Sequence, residues 1–113
     1  MIYTVTLNPA LDYIMYPNNL SVGEINRSAR ESLYFGGKGI NVSFILNELG
    51  ISSVATGFIA GFTGDALANA VSAFAKPDFV RLKKGLTRIN VKLRAENETD
   101  INAAGPEVSN EDI

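Results

Sequence analysis

The chain has 113 residues, 46% of them apolar and 19% charged, and ten Lys and Arg stand against twelve Asp and Glu for a net charge of −2. That suffices for one small domain, and it leaves no basic surplus of the kind a nucleic-acid surface needs. Because cysteine and histidine are both absent, disulfides, thiolate nucleophiles, His-based triads and Cys or His metal sites are excluded, and any general base must be a carboxylate, Lys or Tyr.

The opening M-I-Y-T-V-T-L-N-P has neither a basic leader nor a long apolar core, and no apolar run approaches the ~18 residues of a membrane span. This predicts a cytoplasmic chain without a membrane partner. Residues 2–7 are rich in β-branched side chains and stop at Asn8-Pro9; their near-continuous apolar character predicts a strand buried on both faces. A short apolar run, 13–16, ends at Pro17; 18–24 reads as loop and 25–35 as another strand.

After a glycine cluster, Val42, Ile45, Leu46 and Leu49 fall at i, i+3, i+4 and i+7, with Gly50 where a left-handed C-cap belongs. An amphipathic helix is predicted. Residues 54–60 read as a strand and 61–65 as a turn; a second helix then puts Leu67, Ala70, Val71 and Phe74 on one face and ends before Pro77. Strand, helix, strand, helix is the pattern of an α/β fold with a parallel sheet. From Thr87 to Arg94 apolar and polar residues alternate strictly, which predicts a strand wet on one face and antiparallel to its neighbours, 98–102 among them. Ser109 or Asn110 is an expected N-cap for a helix needing residues beyond 113, so the chain is expected to be interrupted there.

The stretch Y-F-G-G-K-G-I-N-V-S at 34–43 carries the most chemistry. Glycines before a helix let a ligand approach the main chain and expose amide N–H groups at the positive end of the helix dipole. Lys38 adds a charge and Asn41 a side chain that both donates and accepts. A Walker loop is excluded, since Lys38 is followed by Gly39 in place of Ser or Thr, and a dinucleotide fingerprint fails at Val42. Two readings stay open on local chemistry: an anion cradle, or a tight strand-to-helix turn.

Five blocks, T-L-N-P-A-L-D (6–12), G-G-K-G-I-N-V-S (36–43), A-T-G-F-I-A-G-F-T-G-D (55–65), T-R-I-N-V-K-L (87–93) and E-T-D-I-N-A-A-G-P (98–106), stand in the order and spacing of the PfkB, or ribokinase-like, sugar kinases. The whole chain resembles the N-terminal part of one such kinase domain, and within the family it is most similar to members acting on fructose 1-phosphate. The resemblance implies a mainly parallel sheet flanked by helices, truncated here, with a small β-sheet lid drawn from about 12–17, 25–35, 87–94 and 98–103. It implies a sugar-phosphate ligand, MgATP as cosubstrate, and a homodimer formed through the lid.

Carried over by motif, Asp12 holds sugar hydroxyls, Gly37, Lys38, Gly39 and Asn41 line the same pocket with Lys38 near the substrate's phosphate, Arg88 is a second phosphate ligand, and Asn102 is a further sugar contact. On local grounds alone Asp12 is also readable as a turn residue and Arg88 as a solvated lid charge, with Lys92 and Arg94 facing solvent. No catalytic or metal-holding residue is assigned: the family's aspartate base lies in a G-A-G-D segment that residues 1–113 do not contain, and Asp65 reads as an N-cap or turn residue. The chain alone is therefore expected to be inactive, although the full-length protein is expected to convert fructose 1-phosphate to fructose 1,6-bisphosphate. Kinases of tagatose 6-phosphate or fructose 6-phosphate, and a non-catalytic sugar-phosphate-binding or dimerisation module, are the alternatives.

Overall fold

Two sheets divide the chain. The computed structural model describes residues 1–112, which run β1 (Ile2–Thr6), β2 (Ala10–Pro17), β3 (Ser28–Gly36), α1 (Lys38–Glu48), β4 (Ser53–Ala60), α2 (Gly61–Val71), β5 (Lys76–Pro77), β6 (Val80–Leu82), β7 (Arg88–Arg94) and β8 (Glu98–Ile101), closing on a 3-10 turn at Asn110–Asp112.

The first sheet is parallel. β4 lies at its centre, with β1 on one side and β5 and β6 side by side along its other edge. Ala55 and Ile59 of β4 join Ile40 of α1 and Leu67 and Val71 of α2 in one buried cluster, so both helices cover the same face. The other face is left open at β1, where Tyr3 and Val5 are exposed, and the expectation of burial on both faces fails there. A parallel strand is dry on both sides only when helices flank both.

Helix α1 corrects a second expectation. Its apolar stripe does not face the sheet: Val42, Ile45 and Leu49 are 50%, 55% and 69% exposed, whereas Ile40 and Ser43 are buried. Buried hydrogen bonds hold this rotation together with the packing of Ile40 in the core. The Ser43 hydroxyl is fully buried, 2.6 Å from that of Thr4 on β1, and accepts from the Ser53 hydroxyl of β4 at 2.9 Å. A buried hydroxyl without a partner is costly, so this trio holds the polar face inward. At the other end the expectation holds: Gly50 takes φ 77° and bonds Asn47 O, while Ile51 N–H reaches Leu46 O at 2.8 Å, a Schellman close.

The segment 61–65 is no turn but the first part of α2, and Asp65 lies within that helix, paired with Arg81, and does not cap it. Buried Thr87 locks this corner, accepting from Ala60 N–H at 3.0 Å through its hydroxyl and from the Thr63 hydroxyl at 2.8 Å through its carbonyl. Pro77, read as lying past a helix, sits in β5.

The second sheet has the order β3-β2-β7-β8, and its strands cover 10–17, 28–36, 88–94 and 98–101. β7 is antiparallel to β8 as expected but parallel to β2, which is reached only after the whole core crossover. One face carries Asp12, Tyr34, Asn90 and Lys92; the other carries Tyr13, Leu33, Val91 and Ile101, by the alternation of the pleat. Lys92 and Arg94 are not free: both pair with Asp100, Arg94 at 2.8 Å, and the Arg94 hydrogen bond holds the Asp100 carboxyl below the ordinary carboxylate range. At the chain's end Ser109 takes the capping position before 110–112, its N–H donating to Asp112 at 2.9 Å.

Two outcomes follow. Ser43→Ala strands the Thr4 and Ser53 hydroxyls and lowers stability in urea by about 1–3 kcal/mol, whereas Thr4→Val, Ser43→Ala and Ser53→Ala together remove every partner and come close to neutral. Because the Asp100 carboxyl is lowered, its contribution is present above the unfolded value and is lost as pH falls through the folded one. NMR amide shifts of 98–101 should therefore move below about pH 4, and Asp100→Asn should abolish that step.

Candidate functional site at the junction of the two sheets

The glycines around Lys38 have a packing cause. Gly37, at the N-cap of α1, takes φ 144°, and a side chain there would run into Thr6 Cγ2. A Cβ at Gly39 would lie 2.6 Å from Thr6 Oγ1 and 2.7 Å from Val5 O. The first turn of α1 thus rests directly on the end of β1, closer than any side chain allows. Thr6 in turn does the work of a cap, its hydroxyl accepting from Ile40 N–H at 3.0 Å. Asn41 N–H closes the first helical bond to Gly37 O at 3.0 Å. The N–H groups of Lys38 and Gly39 find no acceptor among the described residues and point out at the positive end of the dipole. Lys38 and Asn41 are exposed, and neither side chain is paired among the described residues.

The root of the second sheet supplies the opposite wall. In register, Ala10 faces Gly36 on one side and Arg88 on the other; two residues along, Asp12 faces Tyr34 and Asn90. Asp12 and Arg88 therefore share a face, and Gly36 leads straight from the Arg88 row into Gly37 and Lys38. Asn90, 6% exposed, donates through Nδ2 to Asp12 Oδ1 at 3.0 Å. The second Asp12 oxygen sits over Gly36, where a Cβ would lie 3.1 Å away. Arg88 donates through Nη1 to Ala103 O at 3.3 Å, and its Nε is buried with no partner, alone in that among the described residues. A cavity of 320 Å³ opens beside it, lined by Leu86, Thr87, Ile89, Ala103 and Gly105.

Of the residues singled out from sequence, Asp12, Gly37, Gly39 and Arg88 converge on this junction and Lys38 stands at its rim. Asn102 is exposed and makes no side-chain hydrogen bond, although its neighbour Ala103 donates to Asn90 Oδ1 at 3.1 Å. Asn90, which the sequence left among the wet-face residues, is the side chain that reaches Asp12; only the parallel pairing of β2 with β7 puts it there. A second cavity, of 460 Å³, lies elsewhere, between 82–85 and 107–112, lined by Lys83, Lys84, Glu107 and Glu111 and by none of the residues singled out from sequence.

The chain belongs to the pfkB family of carbohydrate kinases, whose profile it matches over residues 5–113. It is 48% identical to the 1-phosphofructokinase of Bacillus subtilis over all of its own length and 37% of that protein's. A D-tagatose-1-phosphate kinase of Bacillus licheniformis is 37% identical over 96% of the chain, again spanning 36% of the relative. The fold matches the crystal structure of a candidate phosphofructokinase from Staphylococcus aureus with a TM-score of 0.93 at 40% identity, covering 99% of this chain and 37% of that one. The chain thus spans little more than a third of these relatives, and its parallel core with a small mixed sheet is the ribokinase-like arrangement.

Gly39→Ala tests the contact that forms the site. It should cost about 1–3 kcal/mol in urea, and adding Thr6→Ala should not restore stability, since the Val5 carbonyl still blocks the Cβ.

Proposed function

We propose that residues 1–113 form the sugar-phosphate-binding part of an ATP-dependent kinase that, at full length, transfers a phosphoryl group to the 6-hydroxyl of fructose 1-phosphate. The observation that carries this is the buried, unpartnered Nε of Arg88 on the face shared with Asp12. A guanidinium with a free donor beside a cavity suits a phosphate, and an ionised carboxylate accepts from two neighbouring hydroxyls. In this reading Asp12 takes the sugar hydroxyls, Arg88 and Lys38 the phosphate, the free N–H groups around Gly37 and Gly39 add donors at the helix end, and Asn41 and Asn102 contact the sugar from the rims.

The likeness to a D-tagatose-1-phosphate kinase supports a second reading in which the sugar is a tagatose phosphate. The exposed apolar face with Leu33, Ile89 and Ile101 supports a homodimer through the lid sheet. A cytoplasmic location fits a small anionic metabolite. MgATP is the phosphoryl donor in this reading, and residues 1–113, which contain no G-A-G-D segment, do not turn over alone.

Calorimetric titration of the chain tests this. Fructose 1-phosphate should bind more tightly than tagatose 1-phosphate or fructose 6-phosphate, with no ADP formed when MgATP is added. Arg88→Ala should weaken binding by roughly 10-fold to 100-fold, the range for a charged hydrogen bond. Equal affinity in that variant overturns the assignment, and tighter binding of tagatose 1-phosphate selects the second reading.

A further inference from the structure

Asp12 and Arg88 lie on one face of adjacent strands, two residues apart along the register, yet they form no ion pair. Opposite charges so placed ordinarily pair. A chain of hydrogen bonds intervenes. Asp12 Oδ1 accepts from Asn90 Nδ2 at 3.0 Å, Asn90 Oδ1 accepts from Ala103 N–H at 3.1 Å, and the carbonyl of the same Ala103 accepts from Arg88 Nη1 at 3.3 Å. One side-chain amide and one residue's peptide groups thus stand between carboxylate and guanidinium.

The chemistry at each link leaves one solution. The Ala103 N–H can only donate, so Oδ1 of Asn90 must face it; Nδ2 is then aimed at Asp12, which when ionised can only accept. An Asp at 90 keeps the first bond and loses the second. A Ser is too short to reach both. The Ala103 stretch is itself anchored, since Asn8 Nδ2 donates to Ala104 O at 2.9 Å and a Cβ on Gly105 would strike Asn8 Oδ1. The amide of Asn90 is therefore held by the fold and not by the ligand.

We infer that Asn90 is a positioning residue: it holds the Asp12 carboxylate apart from Arg88, so that one keeps a free oxygen for a sugar hydroxyl and the other a free N–H for the phosphate. This rests on the sugar-phosphate reading above. Arg88 and Lys92 on β7 and Tyr34 on β3 share the sheet face of Asp12.

Two measurements on the 113-residue chain test it. The first needs no ligand. In Asn90→Ala the bridge is gone and the Asp12 carboxylate is free to pair with the Arg88 guanidinium. The Arg88 Nε–H resonance should then move away from its wild-type position; an unchanged resonance overturns the inference whether or not any sugar binds. The second is a double-mutant cycle read by fructose 1-phosphate titration. Asn90→Ala should weaken binding by roughly tenfold and have less than about a twofold effect once Asp12→Asn is present. Asn90→Asp, which can still accept from Ala103 N–H but cannot donate to the Asp12 carboxylate, should bind no better than Asn90→Ala. Losses that multiply in the cycle show that Asn90 does not act through Asp12, and they overturn the inference. If the wild type binds no sugar phosphate while the Arg88 resonance moves in Asn90→Ala, the substrate reading fails and the positioning contact stands.

Discussion

The distance between the end of β1 and the start of α1 governs the rest of the molecule. Gly37 and Gly39 let the helix settle onto Thr6 and Val5, and the Thr6 hydroxyl then serves as the cap the helix lacks in its own sequence. Once Ile40 N–H is tied to Thr6, the helix rotation is set, and Ser43 falls between Thr4 and Ser53. A cap supplied by another strand binds two elements together where an ordinary cap serves only its own helix.

What could be read from the amino-acid order, and what could not, divides along physical lines. Elements whose pattern repeats over many residues were legible: the strand at 2–6, the alternating strand at 88–94, the Gly50 close of α1 and the buried Leu67 and Val71 of α2. The rotation of α1 was not, because a stripe at 42, 45, 46 and 49 predicts burial only when the hydrophobic effect decides orientation. Here three buried hydroxyls and Ile40 hold the inward face instead. β5 and β6 have two and three residues, one carrying Pro77 and the other Arg81, too short to show any period.

The site shows the same division. Asp12, Gly37, Gly39 and Arg88 were marked by motif, and the fold brings them to one junction. Asn90 carried no mark of its own, since a wet-face Asn in an alternating strand is ordinary until its neighbour is known. That neighbour depends on β7 pairing with β2 in parallel, a fact of topology that no local window contains. Asp12 and Arg88 are bridged by neutral dipoles, which satisfy each charge in part without cancelling it.

The contact between Asp12 and Asn90 spans 78 residues of chain. Between them lie both helices and three of the four strands of the parallel core, so closing this pair requires a long loop. In kinetic terms the hydrophobic core can condense from nearer contacts, whereas the carboxylate acquires its partner only when β7 arrives beside β2. The charged junction is consequently among the last features to form, and its integrity reports that the full topology has been reached.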